Sequence, residues 1–449
     1  MASPSHRRSL RTRRTVMVCA AAVTATGLGA VAFVMNANAG AVDLYHQTLP
    51  AKDGWAASGS GTTGGAQADS AHVFTVSTRA ELVKALGSSS NSTAKIIKIK
   101  GTIDANTDDS GKKLTCADYS SGTGYSLASY LKAYDPSTYG TSKLPSGTQE
   151  SARAAAQAKQ AKSVVFKVPA NTTIVGVPGT KAGITGGSLQ VKDVDNVIIR
   201  NLTFAATEDC FPQWDPTDGD TGNWNSAYDA VTLRTATHVW ADHNTFTDAP
   251  DFDSANKKYY GREYQIHDGD LDITKGSDLV TVERNQFTNH DKTMLIGSSD
   301  TDSTGKLHVS IHHNVWKGIV QRAPLARIGQ VHIYNNYFDT TTVNGYAPLY
   351  TINSRAKAQV VAEDNYWNVP AGGKVAKLLS GDGTGSIAGS GNLVNGTATD
   401  LVAAYNAANS KKLKTTVNWT PSLTYGLQTS AKNLPTELAT TTGAGVLNP

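Results

Sequence analysis

The sequence predicts an all-β protein, a single-stranded, right-handed parallel β-helix with a short N-terminal capping helix and loop insertions. Three observations lead to this fold class. Short alternating apolar segments recur along the chain, each ends in an asparagine followed by an aromatic residue, and the intervals between them vary from 22 to 43 residues. Such repeats are typical of stacked coils, none of which can bury a core alone. We therefore expect one domain over residues 40–449.

The repeated segment is an alternating strand that ends in Asn-x-aromatic. Its six copies have their asparagines at Asn201, Asn244, Asn285, Asn314, Asn336 and Asn365. We expect these asparagines to adopt the left-handed backbone of a tight bend. Their side chains should hydrogen-bond to one another along the coil axis. The aromatic residue two positions later lies on the same face of the chain and should stack inside the coils.

The flanking segments predict caps and insertions. Thr78 and Glu81 match a capping box, and the residues after them predict a short helix that ends at Gly87 and covers the first coil. Residues 105–163 are expected to form an insertion that includes a helix rich in Ala, Gln and Lys. The Gly/Ser/Thr-rich tract 56–70 predicts a flexible lead-in. The C-terminal segment has few strand signals and should run back along the outside of the coils.

Residues 1–39 have the pattern of a secretion signal peptide. Five arginines precede an apolar run, and Ala37-Asn38-Ala39 matches a small-residue cleavage site. A membrane anchor is the alternative, since the run is near the lower length for a span. We expect a secreted, extracellular protein that has no membrane contact after cleavage. A monomer is expected, because a capped solenoid has no obvious need to associate.

Removal of the signal peptide changes the charge balance. Without its five arginines, the 41 basic residues fall to 36, against 37 acidic residues. No net basic field remains to favour nucleic acid as a partner. Any polyanion must therefore be held by a local site. Cys116 and Cys210 remain in the mature chain and could pair in an oxidising compartment, but their spacing leaves this open.

A run of alternating carboxylates suggests a metal site. Asp268, Asp270 and Asp272 would share one face of a straight strand, and a ligand set made only of oxygens suits Ca²⁺. The outer two would lie about 13 Å apart on such a strand. The chain must therefore bend if both are to bind one ion, and Gly269 permits a bend. A solvated acidic turn is the alternative.

Cations follow these carboxylates in the sequence. Arg322-Ala-Pro-Leu-Ala-Arg327 places two guanidinium groups five residues apart, and Lys292 adds a third positive charge. Arginine binds carboxylates through paired hydrogen bonds. As isolated residues these are ordinary surface cations. On neighbouring coils they would line one groove together with the aspartates.

Together these motifs resemble those of the pectate lyases, a large family of parallel-β-helix polysaccharide lyases. The resemblance extends from about Val73 to the C-terminus and is densest from FPQWDPTDGDTGNWNSAYDA (Phe211 to Ala230) through Phe338. The motifs that follow this stretch are HVWADHNTF, HDGDLDI, NHDKTMLIG and R-x-P-x-x-R, in that order. It implies the following site residues: Asp229, Asp268 and Asp272 as ligands of Ca²⁺, Arg322 as the Brønsted base, and Lys292 and Arg327 as contacts of substrate carboxylates.

The sequence departs from the family pattern at three positions. Leu325 stands where the family often has arginine, which puts one substrate contact in doubt. Ala227 replaces an acidic residue, so an additional Ca²⁺ site there is not expected. Thr274 replaces a common lysine, although Lys275 is adjacent.

The resemblance implies a calcium-dependent pectate lyase that cleaves α-1,4-polygalacturonate by β-elimination and releases 4,5-unsaturated oligogalacturonates, with an alkaline pH optimum. The alternatives are a pectin lyase acting on methylated pectin, a β-helix polygalacturonase that uses two carboxyl groups, and a non-catalytic polysaccharide-binding β-helix. The retained aspartates disfavour a pectin lyase. The retained cations Lys292, Arg322 and Arg327 disfavour a protein that only binds.

Overall fold

The structure, a computed structural model, describes residues 43–302 and 305–447. The signal peptide expected at residues 1–39 lies outside the described residues. Among the described helices, none is both long and apolar enough to cross a bilayer.

The chain winds through three parallel sheets, named sheets 1, 2 and 3 in the order in which each coil passes through them. Sheet 1 contains Val165–Val168, Ser188–Lys192, Val231–Arg234, Leu271–Thr274, Leu295–Ile296, the first part of Leu325–Tyr334, the first part of Ile352–Glu363, and Leu379–Gly381. Sheet 2 contains Val73–Val76, Lys95–Ile99, Thr172–Gly176, Asp195–Arg200, Thr237–Asp242, Asp278–Glu283, His308–His312, the later parts of the same two long strands, and Ser386–Ala388. Sheet 3 contains Thr102–Asp104, Gly183–Thr185, Thr203–Ala205, Thr245–Thr247, Gln286–Lys292, Val315–Gln321, Tyr337–Asp339, Tyr366–Asn368 and Leu393–Val394, and Thr397–Ala398 adds an antiparallel strand at its end.

Outside the coils lie two short antiparallel ribbons and the helices. The ribbons pair Gln213–Asp215 with Asn223–Asn225, and Lys258–Tyr259 with Arg262–Glu263. The α-helices are Arg79–Leu86, Cys116–Ser120, Leu127–Ala133, Pro136–Tyr139, Thr148–Val164, Leu401–Ala408 and Leu434–Thr441. The 3-10 helices are Leu44–His46, Trp55–Ala57, Ser70–His72, Asp253–Ala255, Val375–Lys377 and Ala431–Asn433.

The predicted parallel β-helix is confirmed, since equivalent residues of successive coils pair in parallel register. In sheet 2, for example, Val239 pairs with Val280, which pairs with Val309. Such valines are fully buried in a core that continues from coil to coil. Because every coil covers its neighbours, the end of the stack needs a separate cover.

The predicted capping helix is also confirmed. Thr78 accepts a hydrogen bond from the backbone N–H of Glu81, whose side chain accepts one from Thr78 in return. The helix Arg79–Leu86 ends at Gly87, whose φ of 65° favours glycine. Its buried face joins the core of the first coils.

The aromatic residues stack inside the coils as predicted. The rings of Phe246 and Phe287 lie 4.8 Å apart, and those of Phe287 and Trp316 lie 4.2 Å apart, with nearly parallel planes. The complete stack comprises Phe204, Phe246, Phe287, Trp316, Phe338 and Trp367. Each ring therefore packs on the equivalent ring of the next coil.

The asparagine ladder forms, with one member replaced. Side-chain amides are linked at 3.0 to 3.2 Å through Asn244, Asn285, Asn314, Asn336, Asn365 and Asn392. Asn201 does not belong to it. Phe204 pairs with Phe246, which aligns Leu202 with Asn244, and the Leu202 N–H donates to the Asn244 amide oxygen. Phe204 follows Asn201 by three positions rather than two. The inclusion of Asn201 in the Asn-x-aromatic repeat was therefore wrong, whereas Phe204 does join the aromatic stack.

The expected backbone of the ladder asparagines was also wrong. The left-handed residue is the one before the ladder position, as at His243 (φ 51°), Arg284 (φ 49°) and His313 (φ 53°). Asn201 occupies this preceding position in its own coil, with φ 57°. The ladder asparagines are instead selected by their buried amides, which satisfy backbone groups of neighbouring coils.

The tract 56–70 packs on the coils, contrary to the expected flexible lead-in. Ala56 and Thr62 are buried, and the Ala56 N–H donates to the Thr281 hydroxyl. The Gly64 N–H donates to Asn196. Small residues serve here because the chain lies close against sheet 2: a Cβ on Gly64 would lie 2.4 Å from the Thr173 hydroxyl.

The C-terminal segment returns along the outside as predicted. After the helix Leu401–Ala408, the Gln428 N–H donates to the side chain of Asn335. Near the C-terminus, the Gly445 N–H donates to the side chain of Asn201, on a much earlier coil. Cys116 and Cys210 form a disulfide with their Cα atoms 5.4 Å apart. This bond attaches the insertion to the coils.

Candidate active site

The edge where chain enters sheet 1 brings together all six residues predicted for the site. Asp229 and Asp268 lie just before the strands Val231–Arg234 and Leu271–Thr274. Asp272 lies within the second of these strands. The other three follow on the next coils: Lys292 at the end of Gln286–Lys292, Arg322 just before Leu325–Tyr334, and Arg327 within that strand. Parallel stacking thus places residues far apart in sequence along one groove.

The aspartates converge around Gly269. The Gly269 N–H donates to Asp229 at 3.0 Å, and the Leu295 N–H donates to Asp272 at 2.9 Å. A Cβ built on Gly269 would lie 2.6 Å from an Asp272 oxygen and 2.9 Å from an Asp229 oxygen. Gly269 is therefore needed for close approach, rather than for the bend expected from the sequence. The bend itself exists, since the strand begins only at Leu271.

Burial and mutual repulsion dominate the electrostatics of these carboxylates. Burial raises the pKa of Asp229 well above its ordinary value, and Asp272 and Asp268 raise it further. Burial and Asp268 likewise raise the pKa of Asp272 to about 7, although Arg322 opposes them. Carboxylates that repel one another in a buried site are stabilised by a multivalent cation. The oxygen-only ligand set fits Ca²⁺.

Lys292 links the aspartates to the basic part of the groove. Its ammonium group lies 3.5 Å from a carboxylate oxygen of Asp268, and the residue is buried. His290 lies two positions earlier and contacts the backbone carbonyl oxygen of Asp268 at 2.8 Å. The loop that carries Asp268 is thus held from two sides.

Arg322 occupies an unusual backbone conformation. Its φ is 61°, a left-handed value that a residue with a side chain adopts at some energetic cost. Its carbonyl oxygen accepts a hydrogen bond from the Met294 N–H at 2.8 Å. Its buried Nε has no hydrogen-bond partner, so the guanidinium keeps a donor available.

Arg327 has acidic and basic neighbours. Its Nε lies 3.3 Å from Asp300, which also lies 2.6 Å from Arg355 on the next coil. Burial lowers the pKa of Arg327, Asp300 opposes this effect, and Arg322 and Arg355 reinforce it. Asp300 and Arg355 were not identified from the sequence, because neither belongs to a recognisable motif.

A buried acid–histidine network lies beneath the groove, and its acidic partners were not identified from the sequence. Asp248 lies 2.5 Å from His290 and accepts a hydrogen bond from Tyr346. Burial lowers the pKa of His290, but Asp248 and Asp270 outweigh burial and hold it well above its ordinary value. Asp270 lies 3.8 Å from His290. It belongs to this network, because the strand begins only at Leu271 and the straight strand on which Asp270 would share a face with Asp268 and Asp272 does not form.

A parallel β-helix with clustered carboxylates and cations in one groove has the form of a polysaccharide lyase. The family model "Pectate lyase" matches residues 30–123 and 138–447. Pectate lyase of Bacillus subtilis (strain 168) is 49% identical over 417 residues, which cover 92% of this chain and 96% of that protein. Pectate lyase E of Dickeya chrysanthemi is 34% identical, over 78% of this chain and 74% of that protein.

Solved structures agree with the sequence relatives. A pectate lyase bound to a hexasaccharide superimposes with a TM-score of 0.85 at 47% identity, covering 90% of this chain and all of that one. A thermostable pectate lyase gives a TM-score of 0.87 at 41% identity, with the same coverage. The chain belongs to the pectate lyase family and is a polysaccharide lyase.

Proposed function

We propose that this protein is a secreted, calcium-dependent pectate lyase that cleaves α-1,4-polygalacturonate by β-elimination. One observation carries the proposal: Asp229, Asp268 and Asp272 meet in a single groove with the predicted cations. A carboxylate-rich polymer needs both a multivalent cation and basic side chains to approach these aspartates. The hexasaccharide held by a related pectate lyase supports an extended saccharide chain as substrate.

The reaction requires removal of the C5 proton of a galacturonate unit, which is alpha to its C6 carboxylate. The electron pair of the broken C5–H bond forms the C4–C5 double bond, and the C4–O4 bond breaks. The leaving oxygen takes up a proton, and the new non-reducing end is a 4,5-unsaturated sugar. When bound, Ca²⁺ would neutralise the substrate carboxylate and stabilise charge that develops at the reacting centre.

Each predicted residue has a defined task in this proposal. Asp229, Asp268 and Asp272 hold Ca²⁺. Two cations bind substrate carboxylates: Lys292, which lies beside Asp268, and Arg327, which lies in the strand Leu325–Tyr334. Arg322 removes the C5 proton, and its unpartnered Nε and left-handed backbone fit a residue reserved for substrate. The proposed product is a 4,5-unsaturated oligogalacturonate, formed with an alkaline pH optimum.

The test is to follow ultraviolet absorbance during incubation with polygalacturonate, in Ca²⁺ and in a chelator. We expect calcium-dependent absorbance that falls by roughly 10²–10⁴-fold in Arg322→Ala, the usual range for loss of a general base. The matched control is Arg79→Ala, since Arg79 of the capping helix binds Asp109 and two backbone carbonyls at the end of the helix Thr148–Val164. This control should keep wild-type turnover.

Other outcomes would point to the alternatives. New reducing ends without absorbance would mean hydrolysis, as in a polygalacturonase. Absorbance that needs methylated pectin and ignores the chelator would mean a pectin lyase. Binding of the polymer without either signal would mean a non-catalytic β-helix.

A further inference from the structure

A second charged site lies at the far ends of the sheet 2 strands, separate from the groove. A cavity of about 360 Å³ is lined there by the strand ends and by two chain segments that cross them. One segment is the N-terminal strap, defined here as residues 44–55, and the other contains Tyr425. We call this space the strap cavity.

Parallel register aligns three ionisable residues beside the strap cavity. Asp242 pairs with Glu283, and Glu283 pairs with His312 on the next coil. The strap adds Asp53, whose backbone carbonyl accepts a hydrogen bond from the Thr281 hydroxyl at 3.1 Å. One ligand atom from each of Asp53, Glu283 and His312 can be chosen so that all lie within 4.8 Å of one another.

Two of these atoms are buried without hydrogen-bond partners. Asp53 and His312 are only 2% and 1% exposed, yet Asp53 Oδ1 and His312 Nε2 form no hydrogen bond. They lie 3.2 Å apart. Ligand atoms at about 2.0–2.2 Å from a tetrahedral ion lie roughly 3.3–3.6 Å from one another. The spacing of the two atoms is therefore close to that of two ligands of one ion.

The neighbours prepare His312 and Glu283 for such a role. His312 Nδ1 lies 2.9 Å from His313 Nδ1, so one of these rings donates to the other. When His312 is the donor, its Nε2 carries the lone pair, which is the arrangement of a histidine that binds a metal. Trp240 donates to one oxygen of Glu283 at 2.8 Å, and the other oxygen lies 3.9 Å from Nδ1 of the His312 ring.

The charge of the strap cavity also favours a cation. Its lining includes the carboxylates Asp53, Asp242 and Glu283 but only two arginines, Arg200 and Arg284. Arg200 pairs with Asp242 at 2.5 Å, whereas Arg284 lies 4.0 Å from Glu283. Arg284 is therefore the one arginine of the lining left to balance the two carboxylates of Asp53 and Glu283.

We propose that Asp53, Glu283 and His312 bind a divalent transition cation of the Zn²⁺ class, with water from the strap cavity as a further ligand. One imidazole and two carboxylates suit such an ion better than Ca²⁺, which takes oxygen ligands. Because Asp53 lies on the strap and the other two lie on adjacent coils, the ion fastens the N-terminal segment to sheet 2.

The experiment is calorimetric titration of the chelator-treated, full-length mature protein with ZnCl₂. Wild type should bind one Zn²⁺ at the strap cavity, and Asp53→Asn should weaken this binding by more than the roughly 10–100-fold typical of changes around a metal ligand. Asp43→Asn is the matched control, since Asp43 is an exposed carboxylate just before the strap that caps the helix Leu44–His46. It should bind Zn²⁺ as wild type does.

Two further variants separate this site from other carboxylate clusters. Asp272→Asn removes a groove ligand, and Asp248→Asn removes the residue shared by the two acid–histidine clusters under the groove. Both should retain the tight Zn²⁺ site, with folding of every variant checked by far-ultraviolet circular dichroism. Zn²⁺ should also slow hydrogen exchange of the strap in wild type but not in Asp53→Asn.

The opposite results would overturn the proposal. Absence of tight Zn²⁺ binding to wild type would reject the site. Binding that survives in Asp53→Asn and is lost in Asp248→Asn or Asp272→Asn would place the ion beneath or within the groove. Binding without protection of the strap would reject the fastening role.

Discussion

Single residues in the groove carry like charges that are buried together. Burial and neighbouring carboxylates raise the pKa of both Asp229 and Asp272. An ordinary acidic surface would not show this pattern, because water would screen the charges. Buried carboxylates that repel one another would be stabilised by a multivalent cation, which is the physical basis for the proposal of Ca²⁺ in this groove.

The stability of the metal-free protein should depend on pH through Asp272. Its pKa is about 7 in the fold, above its ordinary value, so the folded state binds more protons than the unfolded state between about pH 4 and 7. This contribution to stability is fully present at low pH and is lost as pH rises through 7. Between pH 5 and pH 7.5, the unfolding free energy should fall in both proteins or in wild type alone. We expect the fall in wild type to exceed that in Asp272→Asn by at least about 1.4 kcal/mol.

Urea unfolding in a chelator at pH 5 and pH 7.5 measures this difference. The comparison with Asp272→Asn removes the contributions of other titrating groups. Added Ca²⁺ should abolish most of the difference in wild type, since the ion replaces the proton. Equal pH dependence in the two proteins would show that Asp272 is not coupled to the cluster.

Arg327 should affect substrate binding more than turnover. It lies within the strand Leu325–Tyr334 and pairs with Asp300 rather than with Asp229, Asp268 or Asp272. We expect Arg327→Ala to raise KM by roughly 10-fold or more with a smaller change in kcat, as for loss of a uniform binding interaction. Initial rates on polygalacturonate measure both constants. A fall in kcat at unchanged KM would instead place Arg327 at the reacting atoms.

At the scale of elements, the asparagine ladder holds the turns between sheets 2 and 3. Asn285 accepts from the backbone and side chain of Asn244 and donates to Asn314 and to the Ala241 carbonyl. Each coil thus satisfies polar groups of both neighbours. Removing one member leaves buried groups of two coils without partners.

Asn285→Ala should therefore lower stability strongly. An unsatisfied buried group costs about 1–3 kcal/mol, and several are exposed at once, so we expect a loss of roughly 3–5 kcal/mol in urea unfolding. Asn91→Ala is the comparison, because Asn91 is exposed and accepts a single local hydrogen bond. It should lose less than about 1 kcal/mol. Similar losses in both variants would deny the ladder a special role.

At the scale of the whole molecule, a disulfide adds a covalent link between the insertion and the rest of the chain. Cys116 and Cys210 are 94 residues apart in sequence, and the bond joins the helix Cys116–Ser120 to the loop after Thr203–Ala205. A long closed loop gains most from a cross-link in chain-entropy models. The double variant Cys116→Ser/Cys210→Ser should lose roughly 2–4 kcal/mol of stability.

Limited proteolysis measures where that loss falls. We expect the first cuts of the double variant within residues 105–163, while the coils stay intact and activity at 25 °C persists. First cuts within the coils would show that the disulfide supports the solenoid rather than the insertion.

Patterns along the chain were enough to predict the repeat and the residues of the groove. Alternation, recurrent Asn-x-aromatic and the resemblance of the motifs were enough for the parallel β-helix, the aromatic stack and the capping helix at Thr78. They also predicted the six site residues, because these lie in motifs whose order follows the order of the coils. The proximity of the six residues follows from parallel stacking alone.

Contacts that follow no period in the sequence became visible in the folded chain alone. The ladder position of Leu202 in place of Asn201, the packing of tract 56–70 and the pairing of Cys116 with Cys210 each depend on chain alignment across coils. The partners of Asp270, Asp300 and Asp53 likewise come from distant coils or from the strap. Local spacing reports which side of one strand a residue faces, whereas these contacts depend on which segments the fold brings together.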